Sequence, residues 1–103
     1  MNGGLPRILH LFANWKWTGP AEPAVNLAAT LAARGHDVHF ACGREVAPLP
    51  NHVAVEAVAR GLDPIRSLRL GKHRHPIYDP IDRRALRSLI GRLAPAVVHC
   101  HLP

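Results

Sequence analysis

Residues 17–22 read Trp-Thr-Gly-Pro-Ala-Glu and connect two segments of different character. The preceding run, Arg7 to Ala13 (RILHLFA), is apolar and has the length of a buried strand. From Ala21 to Arg34 (AEPAVNLAATLAAR), apolar residues recur at helical spacing. A strand that turns through glycine into a helix places the first N–H groups of the helix at the carboxyl end of the strand, where they favour an anion or a phosphate. The stretch therefore predicts an α/β fold with a candidate anion site at this turn.

Two registers are open for the start of this helix. In one, Gly19 is the N-cap and Pro20 is the first helical residue. In the other, Pro23 comes first, because a proline further inside would remove a helical hydrogen bond. The end is better defined, since Arg34 followed by Gly35 is a typical helix stop.

The remaining elements continue the alternation of strands and helices. An irregular stretch covers residues 60–79, and Asp79 is the expected N-cap of the second helix. The predicted order is βαβ–β–αβ, which indicates a Rossmann-like parallel sheet with flanking helices, or one half of a doubly wound sheet. The later elements are predicted as a strand from Asp37 to Ala41, a strand from His52 to Val58, a helix from Pro80 to Leu93 and a strand from Ala96 to His101.

Length and composition limit the class of protein. A chain of 103 residues with 48% hydrophobic residues is expected to form one globular domain. It contains no apolar run near the ~20 residues that cross a bilayer, and its first residues predict no signal peptide, so a cytoplasmic protein is expected. Cys42 and Cys100 both fall in predicted strands and are interpreted as buried free thiols.

The positive charge is concentrated in one block. Residues 60–92 hold nine of the 13 Lys and Arg residues against three aspartates, a balance of +6, and the rest of the chain is neutral. Either this block is a solvated face, or it contacts an anionic membrane, a phosphorylated substrate or nucleic acid. Nucleic acid is disfavoured, because aromatic residues do not alternate with the arginines and no nucleic-acid-binding motif is present.

Two segments resemble the N-terminal domain of the GT-B retaining glycosyltransferases of family 4 (group 1). They are residues 7–43, RILHLFANWKWTGPAEPAVNLAATLAARGHDVHFACG, and residues 95–103, PAVVHCHLP; the basic middle is unmatched. The resemblance implies transfer of a sugar from a nucleotide-sugar donor to an acceptor with retention and without a separate cofactor. In that family the nucleotide-sugar site and its paired glutamates lie in a C-terminal domain that these residues lack. Residues 1–103 are therefore expected to be a partial, acceptor-side domain that is inactive alone.

The resemblance also implies site residues. His101 is the expected catalytic residue and faces the transferred sugar. The donor side is expected to be lined by Thr18, Gly19, Pro20 and Glu22, and the acceptor or an anionic surface at the inner face of the membrane by Lys16, Arg69, Lys72 and Arg74. Pro20 departs from the family pattern, which has a second glycine there, and it removes an N–H group from the turn.

The histidines raise the question of a metal. His99 and His101 lie on one face of a strand by alternation, and His99 is interpreted as a core residue. The spacing recurs at His73 and His75, but zinc needs three or four converging ligands and Arg74 would repel a cation. No metal is predicted.

The aromatic loop and the fold each allow more than one interpretation. Trp15 and Trp17 either stack on a sugar, enter a membrane interface or pack inward, and inward packing of one of them is favoured. The alternative function is a non-enzymatic binding module with a basic face. A dinucleotide oxidoreductase is disfavoured, because the turn from Asn14 to Pro20 contains one glycine and no G-x-G-x-x-G.

Overall fold

A computed structural model describes residues 6–44, 52–70 and 76–101. In these ranges a three-stranded parallel sheet has the strand order β2-β1-β3 and is flanked by helices. This confirms the predicted α/β, Rossmann-like class. The elements are β1 (Arg7–Phe12), α1 (Ala21–Ala33), β2 (Asp37–Cys42), α2 (Val53–Ala59), α3 (Tyr78–Leu93) and β3 (Val97–His101).

The two faces of the sheet pack against different helices. Phe12 on β1 and Phe40 on β2 are buried against α1 and α2. Leu9 and Leu11 point to the opposite face, where Leu89 of α3 covers them. The division follows from the alternation of side chains along a strand, and it gives each face of this small sheet its own apolar cluster.

The predicted strand from His52 to Val58 is wrong, because this segment is helix α2. Its buried residues are Val53, Ala54 and Ala57, a spacing that places them on one face of a helix against α1. The valines and the short apolar run favoured a strand locally. Packing of this face into the α1 cluster outweighs that preference, since a strand would turn Ala54 away from Val53 and Ala57.

The place of that strand beside β2 is taken by a short irregular segment. Ile65 forms a parallel bridge to Ala41, and its N–H donates to the carbonyl of Phe40 at 2.7 Å. The same segment is tied to α3 through Asp82, whose two carboxylate oxygens accept the backbone N–H groups of Arg69 at 2.8 Å and Leu70 at 2.6 Å. The described sheet therefore has three strands where four were expected.

Neither long helix begins at the residue that proline placement suggested. The N-cap of α1 is Pro20 and that of α3 is Ile77, so Pro23 and Pro80 each occupy the third helical position. Neither register considered for α1 is the observed one, and Asp79 lies inside the first turn of α3 instead of capping it. A proline is tolerated there because the first N–H groups of a helix have no partner within the helix.

Strand β3 has an exposed outer side. Val97 and Val98 are 46% and 40% exposed, and none of the described elements pairs with the outer edge of β3. Cys42 is buried as predicted, but Cys100 is exposed, so the prediction of two buried thiols is wrong for the second. Position in a strand predicts burial only where both the edge and the face of that strand are covered.

Candidate functional site

The carboxyl ends of the three strands meet at one edge of the sheet. The N–H of Ala13, just past β1, donates to the carbonyl of His101 at the end of β3 (3.3 Å). The N–H of Gly43, just past β2, donates to the carbonyl of Asn14 (2.8 Å). Strands β2 and β3 lie on opposite sides of β1, so the chain changes direction between β1 and β3. In open α/β sheets ligands bind at the carboxyl edge beside such a switch point.

Three histidines converge at this switch point. In the register of β1 and β3, His10 lies opposite His99, and alternation brings His101 to the same face. Nδ1 of His10 lies 2.9 Å from Nε2 of His101, a hydrogen-bond distance. The rings of His99 and His101 stack with centroids 4.0 Å apart and planes 24° apart. The predicted residue His101 therefore belongs to a cluster of three imidazoles.

Burial keeps two of these imidazoles uncharged. His10 is fully buried. Its pKa is lowered to about 4, first by desolvation and then by the neighbouring His101 and His99. The pKa of His101, which is half-buried, is also lowered, first by desolvation and then by His99. At neutral pH both rings are therefore neutral, and each offers one donor and one acceptor nitrogen.

The positions of these histidines bear on two predictions, that His99 is a core residue and that no metal binds. His99 is exposed, so its assignment to the core is wrong: β3 has no described neighbour on its outer side to cover it. The ligand nitrogens of His10, His99 and His101 lie within 4.8 Å of one another, so three potential metal ligands are grouped here. The prediction that no metal binds stays a prediction.

His10 is the functional candidate that sequence reasoning missed. It lies in the apolar run RILHLF, whose pattern predicts a buried strand and no site residue. A buried histidine in a central strand needs a hydrogen-bond partner. This requirement is the feature of the sequence that could have identified His10 as a site residue. Its partner, His101, is 91 residues away along the chain, and only the pairing of β1 with β3 brings the two together.

The turn before α1 is exposed but offers few donors to an anion. Gly19 and Glu22 are exposed, and the space around the Cα of Gly19 is open. The N–H of Ala21 donates to the carbonyl of Thr18 (2.9 Å), and Pro20 and Pro23 have no N–H. Of residues 20–23, only Glu22 therefore keeps a backbone N–H for a ligand, and its carboxylate would repel an anion. The hydroxyl of Thr18 is buried without a hydrogen-bond partner among the described residues.

The loop between β1 and this turn is held in place by Asn14. Oδ1 of this buried side chain accepts the N–H of Trp15 at 2.8 Å. Trp17 packs against the α1 cluster, and the guanidinium of Arg60 lies 4.9 Å from its ring centroid. Inward packing of one tryptophan is thus confirmed for Trp17. Lys16 stays exposed, with its ammonium group 5.5 Å from the ring of Trp15.

The basic residues of the block 60–92 do not all lie on one exposed surface. Arg60 is bound to Glu56 (2.8 Å) and Asn26 (2.9 Å) and so joins α2 to α1. Arg69 is half-buried, and the predicted residues Lys72 and Arg74 lie outside the described residues. Helix α3 exposes Arg83, Arg84, Arg87 and Arg92.

A shallow open groove of about 240 Å³ lies on α3 between Arg83, Leu86, Arg87 and Ile90. Among the helices of the described ranges, none has the length and apolar character needed to span a membrane.

Comparison with known proteins identifies the family. The family model described as Glycosyltransferase Family 4 matches residues 18–103, which include the turn, all three helices, β2 and β3. No curated protein and no solved structure matches the chain. Strand β1 and its His10 lie before the matched range. The match covers most of the chain, so this chain belongs to glycosyltransferase family 4.

Proposed function

We propose that this chain is the acceptor-side part of a glycosyltransferase that moves a sugar from a nucleotide-sugar donor to an acceptor with retention. The family match supports a glycosyltransferase. The finer assignment rests on one observation, the position of a neutral, half-buried His101 at the carboxyl edge of β3 beside the switch point. A neutral imidazole there can give a hydrogen bond to a sugar hydroxyl without adding a charge.

In this proposal the residues of the first turn have a limited role toward the donor. Gly19 is exposed with open space around its Cα, so a phosphate can approach the backbone closely. Because Glu22 keeps the only backbone N–H in the first helical turn that is free for a ligand, the helix N-terminus contributes little hydrogen bonding. The main recognition of the donor phosphates is then assigned to a C-terminal nucleotide-sugar domain, and these 103 residues alone are expected to show no turnover.

The test is ligand binding, because catalysis by these residues alone is not expected. Saturation-transfer NMR with a panel of nucleotide sugars should show transfer from the protein to the sugar protons of at least one donor. The signal should fall at least several-fold in His101→Ala and remain in the control His39→Ala. His39 pairs with Leu9 in the register of β1 and β2, so its side chain points to the face opposite His10 and the three-histidine cluster. Equal signals in both variants, or measurable donor hydrolysis by the wild-type chain, would contradict the proposal.

A second candidate function concerns the acceptor side. Arg83 and Arg87 lie one turn apart on helix α3, and they line the groove together with Leu86 and Ile90. Ile77 and Ile81, at the start of the same helix, are 65% and 57% exposed. Guanidinium groups beside apolar side chains suit the headgroup and acyl boundary of an anionic membrane, or an acceptor with a phosphate and a lipid chain. The same surface would serve the alternative function, a non-enzymatic binding module with a basic face.

Vesicle sedimentation tests the second candidate. Binding to vesicles with phosphatidylglycerol should exceed binding to pure phosphatidylcholine vesicles, and it should weaken as salt rises. Arg83→Glu with Arg87→Glu should reduce it, whereas Arg34→Glu, at the end of α1, should reduce it much less. Binding to duplex DNA of similar strength and salt dependence would point to a general polyanion surface instead.

A further inference from the structure

The imidazoles of His10 and His101 lie edge to edge in nearly one plane. Their planes differ by 20°, their centroids are 5.2 Å apart, and Nδ1 of His10 is 2.9 Å from Nε2 of His101. Two rings stacked face to face at this centroid distance would keep their nitrogens farther apart. The facing nitrogens therefore form one direct hydrogen bond in the plane of both rings.

This bond allows only one proton between the two rings, so it couples their tautomers. If His10 donates from Nδ1, its own Nε2 is a bare acceptor and Nε2 of His101 accepts. If His101 donates from Nε2, His10 must bear its proton on Nε2. That atom is buried and has no hydrogen-bond partner among the described residues.

The two arrangements differ in cost. A buried N–H without an acceptor is rarer and more costly in proteins than an acceptor with an unused lone pair. His10 is fully buried, so an N–H on its Nε2 could not donate to bulk water instead. The arrangement with the proton on Nδ1 of His10 is therefore the more stable one.

We propose that His10 is a positioning residue that fixes the tautomer of His101, so that His101 presents an N–H group on Nδ1 to an oxygen atom of the ligand. The hydrogen bonds given by the described residues do not involve Nδ1 of His101, and the residue is half-buried, which leaves that atom for a ligand. The stacked ring of His99 limits rotation of His101 and holds the donor in one direction. The oxygen belongs to a sugar hydroxyl or to a phosphate. Only this last step rests on the proposed function.

The ring geometry favours this arrangement over a metal centre. A metal ion lies in the plane of each imidazole that binds it, about 2.0–2.1 Å from the nitrogen. Because the rings of His99 and His101 stack with centroids 4.0 Å apart, one ion near their nitrogens cannot lie in the planes of both rings. The facing nitrogens of His10 and His101, 2.9 Å apart, leave no room for an ion between them. Metal binding would require the rings to turn and the bond between His10 and His101 to break.

Nitrogen NMR of the ¹⁵N-histidine-labelled protein reads the tautomers directly and needs no activity. At neutral pH in the presence of a chelator, we expect both His10 and His101 to be protonated on Nδ1 and bare on Nε2. In His10→Asn the side-chain amide occupies the place of Nδ1 and should keep His101 in this tautomer. His10→Leu should release His101 into a mixture, and His39→Asn, a control on β2, should leave it unchanged.

Protonation of His101 on Nε2 in the wild-type protein would overturn the proposal, and this spectrum decides the question even if the His10 variants do not fold. Shifts of all three imidazoles on removal of a metal from the purified protein would also overturn it. Titration with a neutral sugar and with inorganic phosphate then identifies the oxygen by the shift of Nδ1 of His101. No shift with either ligand would overturn the donor role. Failure of nucleotide-sugar binding with the tautomer intact would contradict only the proposed function.

Discussion

The backbones of Gly43 and Asn14 approach each other closely at the carboxyl edge of the sheet. The N–H of Gly43 donates to the carbonyl oxygen of Asn14 at 2.8 Å. A Cβ on Gly43 would lie 2.8 Å from the carbonyl carbon of Asn14 and 3.0 Å from the carbonyl oxygen of Arg69. Any side chain at this position must therefore push apart the loops that follow β1 and β2, beside the candidate site.

Gly43→Ala should destabilise the protein by about 1–3 kcal/mol, since the methyl group meets backbone that cannot turn away. The measurement is the free energy of unfolding from urea denaturation. Gly91→Ala is the matched control, because Gly91 lies in α3 with nothing within 4 Å of the added Cβ. It should gain up to ~1 kcal/mol from helix propensity. Equal stability of both variants would show that the edge loops are not packed as described.

Stability should fall as the pH drops from about 6.5 to about 4. The pKa of His10 is about 4 in the folded protein and 6.5 for an unperturbed histidine, so the unfolded state binds more protons in this window. Stability therefore rises with pH there and is fully present above about 6.5. A shift of this size corresponds to roughly 3 kcal/mol, and the lowered pKa of His101 adds in the same direction.

Unfolding measured across this pH range should show a shallower slope in His10→Asn than in the wild type. His39→Asn should keep most of the wild-type slope, because His39 lies on β2 beside Asp37 and away from the cluster. An unchanged slope in His10→Asn would indicate that His10 titrates normally and is not buried.

Gly19→Ala should separate binding from stability. Nothing lies within 4 Å of a Cβ at this position, so the free energy of unfolding should stay within about 0.5 kcal/mol of the wild type. If a donor phosphate approaches this backbone, the methyl group should weaken nucleotide-sugar binding several-fold in the same NMR assay. Unchanged binding would remove Gly19 from the donor site while leaving His101 in place.

Asp82→Ala should loosen the segment between α2 and α3. Its carboxylate accepts the N–H groups of Arg69 and Leu70, and Leu70 has a left-handed backbone with φ 40°. Loss of the acceptor leaves two partly buried donors unpaired, at a cost of about 1–3 kcal/mol. Amide exchange of Arg69 and Leu70 should accelerate. The exposed Asp63 is the control, and Asp63→Ala should change neither stability nor these exchange rates appreciably.

The local sequence pattern predicted secondary structure most reliably where one periodicity dominated a segment. The apolar run of β1 and the alanine-rich repeat of α1 were predicted to within one residue at each end. The end of α1 is a Schellman motif in which Gly35 has a φ of 92° and the N–H of His36 donates to the carbonyl of Leu31. Only glycine adopts this conformation without strain, so the stop is visible in the sequence.

Prediction from the local sequence pattern failed where a segment has nearly equal preference for helix and for strand. The segment Val53–Ala59 contains valines that suit a strand and alanines that suit a helix. Burial of Val53, Ala54 and Ala57 against α1 decides for the helix. The proline positions failed for a related reason: the third helical position tolerates proline almost as well as the first, so Pro23 and Pro80 could not mark the starts of α1 and α3.

The amino-acid sequence by itself determined the α/β class, the parallel sheet and the place of His101 at the end of a strand. It also determined the resemblance to family 4. Each of these features depends on short-range periodicity or on a local motif. Only the tertiary structure decided that Ile65 takes the edge beside β2, that Cys100 and His99 are exposed, and that His10 is the partner of His101. These features depend on which strands become neighbours. Neighbouring strands are selected by the burial of whole faces against α1 and α3, which is a property of the packed chain and not of any local stretch.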